Sequence, residues 1–438
     1  HGVFYTPPAL SDRLVDQAAA TGVDWASARV LDPAAGGGSL LLPVALRMAE
    51  ALRGAEPAIA LQNIAARLRG WVMLELALLP LVEAAGRRLP RLVEVGDSLA
   101  RPECAEWDLV IANPPYGRIG LAPPDRARFA RSLYGHANLY GVFLDLAIRL
   151  TRPKGIVSFL VPSSFLGGEY FKNLRRTLAA DAPPVRLDVV EERRDVFDGV
   201  LQETILATFR RTRRRTAAVG IIQAENQDDL RVVPVGTLTL PPLAGAPWIL
   251  ARHPEDADLA ARLRRMPSRL ADWGYKVSTG PLVWNRHKPQ LGSKRRPGGI
   301  PVIWAESITA DGRFEYRTQR VNHSPWFCPG PGDDWLIVRK PRVLLQRTTA
   351  KEQARRLIAA ELPAAFIKEH GGVTVENHVN MLLPLVAKPA VPPPVLAAFL
   401  NSRAADRAFR CLSGSVAVSA YELEALPLPP PADLRELS

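Results

Sequence analysis

Ten residues constrain this 438-residue chain more than any others: Trp107-Asp108-Leu109-Val110-Ile111-Ala112-Asn113-Pro114-Pro115-Tyr116. Leu109 to Ala112 is a continuous apolar run of strand length, the pattern of a buried strand. Asn-Pro-Pro-Tyr then stops it, because two prolines remove two backbone donors and fix two φ angles. Left at the strand's carboxyl end are the Asn113 amide, the Pro114 and Pro115 backbone and the Tyr116 ring. In an open α/β sheet that edge is where ligands bind. Such equipment suits the activation of an exocyclic amine, whose lone pair is delocalised into its ring or carbonyl. The Asn113 side-chain oxygen and the Pro114 carbonyl, accepting its N–H groups, would favour a localised lone pair as charge develops in the transition state. Tyr116 offers a flat face to the ring that carries the amine. Alone, the motif is equally a Pro-Pro turn closing a strand.

The preceding residues supply context. Thr6-Pro7-Pro8 introduces an amphipathic helix over 9–21, with Thr6 placed to cap its first turn. Arg29-Val30-Leu31-Asp32-Pro33-Ala34-Ala35-Gly36-Gly37-Gly38 is a short strand entering a glycine-rich turn, followed by a helix over 40–52. Asp32 at that strand end can accept from an ammonium or a hydroxyl. The turn lacks the G-x-G-x-x-G of a dinucleotide cradle, so a cofactor with a positively charged amino-acid part fits better than NAD. Trp71 to Glu75 reads as the next strand, with Glu75 placed for two ribose hydroxyls. Leu92 to Val95 reads as a third, ended by Gly96-Asp97-Ser98, with Asp97 suited to the amino group of an adenine ring. Three acids at three successive strand ends, then Asn-Pro-Pro-Tyr at the fourth, form one pattern.

Beyond the motif, a helix over 139–150, a strand over 156–161, a helix over 163–178 and strands over 185–190 and 204–209 complete a βαβ rhythm. The expected fold is a seven-stranded, doubly wound, mostly parallel sheet with a C-terminal α+β domain. Residues 1–215 are the sheet domain, 216–245 a transition of short β-like runs that ends in a Pro-rich stretch from Pro241, and 246–438 the second domain. Arg210 to Arg215 is a solvated edge or a phosphate contact. In the second domain, strands over 343–347 and 380–383 look buried and a helix runs over 395–410. Arg286, Lys288, Lys294, Arg295 and Arg296 lie in loops of bases mixed with polar residues and are candidates for contact with a polyanionic partner.

A net charge of +12 favours a polyanionic partner, although a basic GC-rich proteome would produce the same bias. Through Arg215 there are 28 basic and 23 acidic residues, and 28 against 21 after it, so both parts share the excess. Three scattered cysteines make neither a disulfide framework nor a zinc site, and the histidines lack ligand spacing, so no metal is expected. No apolar run approaches the length of a membrane span. A cytoplasmic protein with no membrane contact is expected.

In order along the chain, Tyr5-Thr6-Pro7-Pro8, Asp32-Pro33-Ala34 with its glycines, Glu75, Asp97, Asn113-Pro114-Pro115-Tyr116, Asn138-Leu139-Tyr140-Gly141 and Asp195-Val196-Phe197 resemble the TaqI-type (gamma-class) DNA adenine-N6 methyltransferases. Leu400-Asn401-Ser402 and residues 423–429 resemble the close of that family's target-recognition domain. The resemblance implies a Rossmann-like class I methyltransferase fold binding S-adenosyl-L-methionine. Its cofactor residues would be Tyr5, Thr6, Pro7, Asp32, Pro33, Ala34, Gly36, Glu75, Asp97 and Ser98, with Asn113 and Pro115 nearby. It implies that the target adenine leaves duplex DNA and is sandwiched by Tyr116 and Phe197. It also implies a monomer in a restriction-modification or phage-defence system, with a cognate restriction endonuclease as partner. Three alternatives stay open: a protein-glutamine or RNA-guanine N-methyltransferase, a DNA-binding specificity subunit with a vestigial sheet, and the methylase part of a restriction–methylation fusion.

Overall fold

In the computed structural model, residues 6–70, 83, 86, 96–191, 203–224, 230–317, 323–348, 353, 355–415 and 417–437 are described. They form two compact units, His1–Ala257 and Asp258–Ser438. The first is built on eight strands: β1 (Val30–Asp32), β2 (Leu68–Gly70), β3 (Trp107–Ala112), β4 (Thr151–Pro162), β5 (Pro184–Val190), β6 (Thr204–Arg210), β7 (Thr216–Ala224) and β8 (Leu230–Thr239). Their order is β8-β7-β5-β6-β4-β3-β1-β2. β1 pairs in parallel with both β2 and β3, and β3 with β4. β6 is antiparallel to β4 and β5, β5 and β7 are parallel, and β7 and β8 antiparallel. β1, which is followed by β2 on one side and flanked by β3 on the other, is the point where strand order reverses, and the crevice beyond it is the binding position of such sheets.

Five of the six residues of β3 are buried, and neighbouring side chains go to opposite faces. Leu109 and Ile111 join the core under helices α1 (Pro8–Ala20), α2 (Leu41–Ala51) and α3 (Pro57–Arg67). Val110 and Ala112, equally buried, face the layer containing helix α4 (Leu139–Leu150), which packs on β3 and β4. A strand buried on both sides must be apolar at every position, which is what Leu109 to Ala112 show; Asp108, before them, is only half-buried.

Helix α1 is tied to the sheet by buried polar groups. Asp188 of β5, fully buried, accepts from Arg13 Nη2 at 2.9 Å, Gln17 Nε2 at 2.7 Å and Arg186 Nε at 2.9 Å. Gln17 Oε1 accepts in turn from the Thr208 hydroxyl of β6 at 2.9 Å, and Thr208 bonds to Ser158 of β4 at 2.8 Å.

Several expectations are corrected. Eight strands of the sheet are described: residues 216–239, expected within a transition, supply β7 and β8, and Leu68–Gly70 supplies β2. The chain after them also packs on this unit. Trp248 is buried, its backbone N–H donates to the Leu166 carbonyl, and its ring meets Phe165 edge-on. The buried guanidinium of Arg175 gathers the carbonyls of Phe165, Gly168, Gly245 and Ala246. The unit therefore closes after Ala257, not at Arg215. The single helix expected over 163–178 is broken at Gly167-Gly168 into Ser164–Gly167 and α5 (Lys172–Asp181), with a short turn between. In the arginine block, Arg210 and Arg211 donate to backbone carbonyls of residues 21, 154 and 151, and Arg215 to Leu240, so three of its five arginines hold the fold. The strands expected over 71–75 and 92–95 lie outside the described residues.

The second unit contains two four-stranded sheets. One is antiparallel throughout, in the order Tyr275–Thr279, Val379–Pro384, Arg342–Gln346, Ala359–Leu362. The other runs Leu291–Gly292, Trp326–Phe327, Ile300–Ile303, Thr374–Val375. The helix expected over 395–410 is two helices, Pro393–Leu400 and Arg403–Leu412. They break because the Asn401 side chain leaves to bond both backbone groups of Ala359 on an edge strand, while Ser402 caps the second helix. No described helix is long and apolar enough to cross a membrane.

Candidate active site

At the carboxyl end of β3 the Asn113 amide is held from two sides. Its Nδ2 donates to the Thr6 hydroxyl at 2.9 Å, and its Oδ1 accepts from the Tyr116 hydroxyl at 2.8 Å. Thr6, 2% exposed, does not cap α1 as expected: the N-cap position falls on Pro7, one residue too late for the Thr6 hydroxyl to reach the first turn. The hydroxyl is turned to Asn113 instead. A carbonyl oxygen has two lone pairs, so Asn113 Oδ1 retains one for an incoming N–H.

The Tyr116 hydroxyl also lies 3.3 Å from the Leu160 carbonyl on β4, and burial pushes its pKa well above the ordinary phenol range, so it stays a neutral donor. Its ring meets Tyr140 edge-on at 6.2 Å, and Tyr140 stacks on Phe171 at 5.0 Å. The Tyr140 hydroxyl bonds Ser164 at 2.7 Å. Phe171 and Ser164 had no signal in the sequence. Gly141 was one: a Cβ there would stand 3.3 Å from the Phe171 ring, so glycine is what lets that ring reach its neighbour Tyr140.

At the end of β1, Asp32 is 1% exposed. Its Oδ1 accepts from the Ala34 N–H at 2.8 Å, and burial pushes its carboxyl up to about 7. A carboxylate with one oxygen engaged and, among the described residues, no cation beside it fits a ligand ammonium or hydroxyl. The turn after Pro33 has Gly36 and Gly38 at φ +51° and +79°, and a Cβ on Gly37 would meet nothing within 4 Å. The backbone there is open to close approach by a ligand. These residues fit a cofactor with a cationic amino-acid part.

Asp97 is exposed and caps a short turn, its Oδ1 accepting from Leu99 N–H at 2.9 Å. Ser98 is buried and its hydroxyl donates to the Pro33 carbonyl at 2.6 Å, which ties this short turn to the glycine turn. Thr6, Asn113, Pro114, Pro115 and Tyr116 are thus one cluster, and Asp32, Pro33, Ala34, Gly36, Asp97 and Ser98 a second. Tyr5, Glu75 and Phe197 lie outside the described residues.

In the second unit, Arg286, Lys288, Lys294, Arg295 and Arg296 are all exposed, and none has an ion-pair partner among the described residues. Lys288 Nζ sits 5.2 Å from the ring of the half-exposed Trp284. Arg295 is engaged within its own loop, over Trp326 at 5.3 Å and donating to the Gly299 carbonyl at 3.3 Å. With the boundary at Ala257, the even division of charge is corrected. The first unit has 30 Lys and Arg against 28 Asp and Glu, and the second 26 against 16. A balance of +2 faces one of +10.

Residues 98–197, which include Asn113 to Tyr116, match the family model of the Eco57I restriction-modification methylase. The Type II methyltransferase M.PstI of Providencia stuartii is 25% identical over 343 residues, covering 76% of this chain and 67% of the relative. M.BsuBI of Bacillus subtilis is 25% identical over 341 residues with the same shares. Among solved structures, the Type IIL restriction-modification enzyme MmeI, determined in complex with DNA, is similar in fold with a TM-score of 0.50 and 12% identity, over 94% of this chain and 63% of that one. The similarity is to restriction-modification methyltransferases broadly, rather than to the TaqI-type class in particular.

Proposed function

We propose that this chain transfers a methyl group from S-adenosylmethionine to N6 of an adenine extruded from duplex DNA, as a methylase of a restriction-modification system with a TaqI-like order of motifs. The observation that carries this reading is the Asn113 amide, clamped by Thr6 and Tyr116 at the end of β3, inside the segment that matches the Eco57I methylase. S-adenosylmethionine supplies the electrophilic methyl when bound. Asp32, with the Pro33 to Gly36 backbone, would hold its amino-acid part, Glu75 its ribose and Asp97 its adenine. Asn113 Oδ1 and the Pro114 carbonyl accept the two N–H groups of the target amine, so that positive charge developing on nitrogen is stabilised by dipoles already in place. Pro115 stiffens the turn, and Tyr116 with Phe197 encloses the base. Duplex DNA enters as partner through the basic second unit, and a cognate endonuclease would cut the same site unmethylated.

Purified protein incubated with S-adenosylmethionine and mixed-sequence duplex DNA should yield N6-methyladenine by mass spectrometry of the digested nucleosides. Asn113→Ala should lower turnover by about 10²–10³-fold, the loss typical of one preorganised dipole. Methyl groups found on glutamine of a protein or guanine of an RNA, with none on DNA, would replace this reading.

A further inference from the structure

Several guanidinium groups in the first unit are neutralised by carboxylates: Arg13 by Asp188, Arg29 by Glu106, Arg128 and Arg149 by Glu103, Arg131 by Asp145 and Arg152 by Asp108. Others, such as Arg175, Arg210 and Arg211, are engaged by backbone carbonyls inside the fold. Arg118 and Arg126 belong to neither group and lie at the surface. Arg118, two residues after Tyr116, bonds His136 Nδ1 at 2.6 Å, and Arg126 donates to the Gly135 carbonyl at 2.8 Å. Both are exposed, neither has a carboxylate partner among the described residues, and both therefore present uncompensated charge.

They flank a group of exposed rings. Arg118 lies on a two-stranded hairpin, Arg118–Ile119 with Ala137–Asn138, which leads directly into α4 and Tyr140. His136 precedes the second strand and lies 5.4 Å from Tyr170, which is 50% exposed. Gly135, at φ +62°, lays its backbone flush on that ring, since a Cβ there would come within 2.8 Å of it. On the other side Lys172 Nζ sits 3.3 Å from the centroid of Tyr134, itself 39% exposed. Bases alternating with part-exposed aromatic rings are the composition of a surface that tracks a nucleic-acid backbone.

Chemistry and position select one partner. A base drawn out of a duplex turns about its own backbone, so the phosphates on either side of it are carried to the lip of the pocket. Arg118 is the cation nearest in sequence to Tyr116, and a guanidinium takes a phosphate by two parallel hydrogen bonds. From this we infer that Arg118 and Arg126, with the Tyr134, His136 and Tyr170 rings between them, bind the phosphodiester backbone of the strand whose base enters at Asn113 and Tyr116. The inference deepens the nucleic-acid reading proposed above and rests on it. Contacts of this kind position a strand without reading its sequence.

The test uses the full chain with Arg118→Gln and Arg126→Gln combined, which removes charge while keeping hydrogen-bonding groups. Anisotropy of a labelled duplex, measured across a salt series, should show the slope of log K against log salt reduced by about 1.8, or 0.9 for each lost phosphate contact. Affinity should fall by the same factor for duplexes of unrelated sequence, and S-adenosylmethionine binding should be unchanged. Tyr170→Ala should weaken duplex binding, and Tyr170→Phe should not. A double variant with wild-type affinity and slope, in a protein that does methylate DNA, overturns the inference and leaves the proposed function standing. Unchanged duplex binding with lost binding of a poly-glutamate peptide would assign the patch to a protein and also overturn it. Wild-type protein that binds no duplex at all would instead remove the proposed function.

Discussion

An asparagine amide has one end that accepts and one that donates, and the activation of an amine requires the accepting end to face it. Thr6 takes the Asn113 Nδ2 and so fixes which end is offered. Thr6→Val, nearly isosteric, should lower kcat about fivefold, the equivalent of about 1 kcal/mol for one hydrogen bond, and Thr6→Ser should restore it. A larger change in S-adenosylmethionine affinity than in kcat would place the hydroxyl on the cofactor instead. Asp32 carries a pH signature. Its carboxyl titrates near 7 in the folded chain, because burial disfavours the charge, and near 3.9 when unfolded. The folded state therefore binds the extra proton between those values. Stability from this group is complete below about 4 and is lost as pH rises toward 7. Melting temperature followed from pH 4.5 to 8 should show that decline, and Asp32→Asn should flatten it. A ligand ammonium favours the carboxylate, so cofactor binding near pH 7 should release a proton, measurable by calorimetry in two buffers of different ionisation enthalpy.

At the scale of elements, Thr6 has its place only because α1 has its place. The helix is locked by Asp188, which gathers Arg13, Gln17 and Arg186 from two elements and is joined through Gln17 to Thr208 and Ser158. Asp188→Asn leaves the part-buried Arg13 and Arg186 guanidinium groups without their buried counterion and should cost about 3 kcal/mol in urea unfolding, with loss of activity at temperatures where the fold survives. Gly220 on β7 lies opposite Asp188, and a Cβ there would come within 2.5 Å of its carboxylate. Gly220→Ala should thus reproduce part of the defect without touching a charge. Neither Asp188 nor Gly220 belongs to any motif.

At the scale of the whole molecule the positive excess belongs to the second unit, and in its exposed loop the bases are not equivalent. Arg295 is spent on the Gly299 carbonyl and the Trp326 face, whereas Lys294 and Arg296 have no recorded partner among the described residues. Lys294→Ala with Arg296→Ala should reduce the salt slope of duplex binding, by about one per phosphate contact, or else cost roughly 1–3 kcal/mol at a single base pair. Arg295→Ala should act mainly by loosening the loop. Equal effects from all three single variants would contradict this division.

What the sequence determined by itself was local in origin. The all-apolar run of β3, its termination by two prolines, the acid and glycines after β1 and the start of α1 follow from residue type and spacing, and each is found where it was expected. Tertiary structure decided what depends on distant residues. Thr6 became a partner of Asn113, 107 residues away, because α1 is clamped across the sheet. Residues 216–239 entered the sheet because β5 offered an edge and Gly220 left room for Asp188; their short β-like runs do not show which sheet they join, and by sequence they read as a passage between domains. Two helices split because Gly167-Gly168 and Asn401-Ser402 met local demands stronger than helical periodicity, the second an edge strand whose backbone the Asn401 amide completes. Apolar periodicity records which face is buried; it does not record which chain will come to bury it, and that is the information only the folded molecule contains.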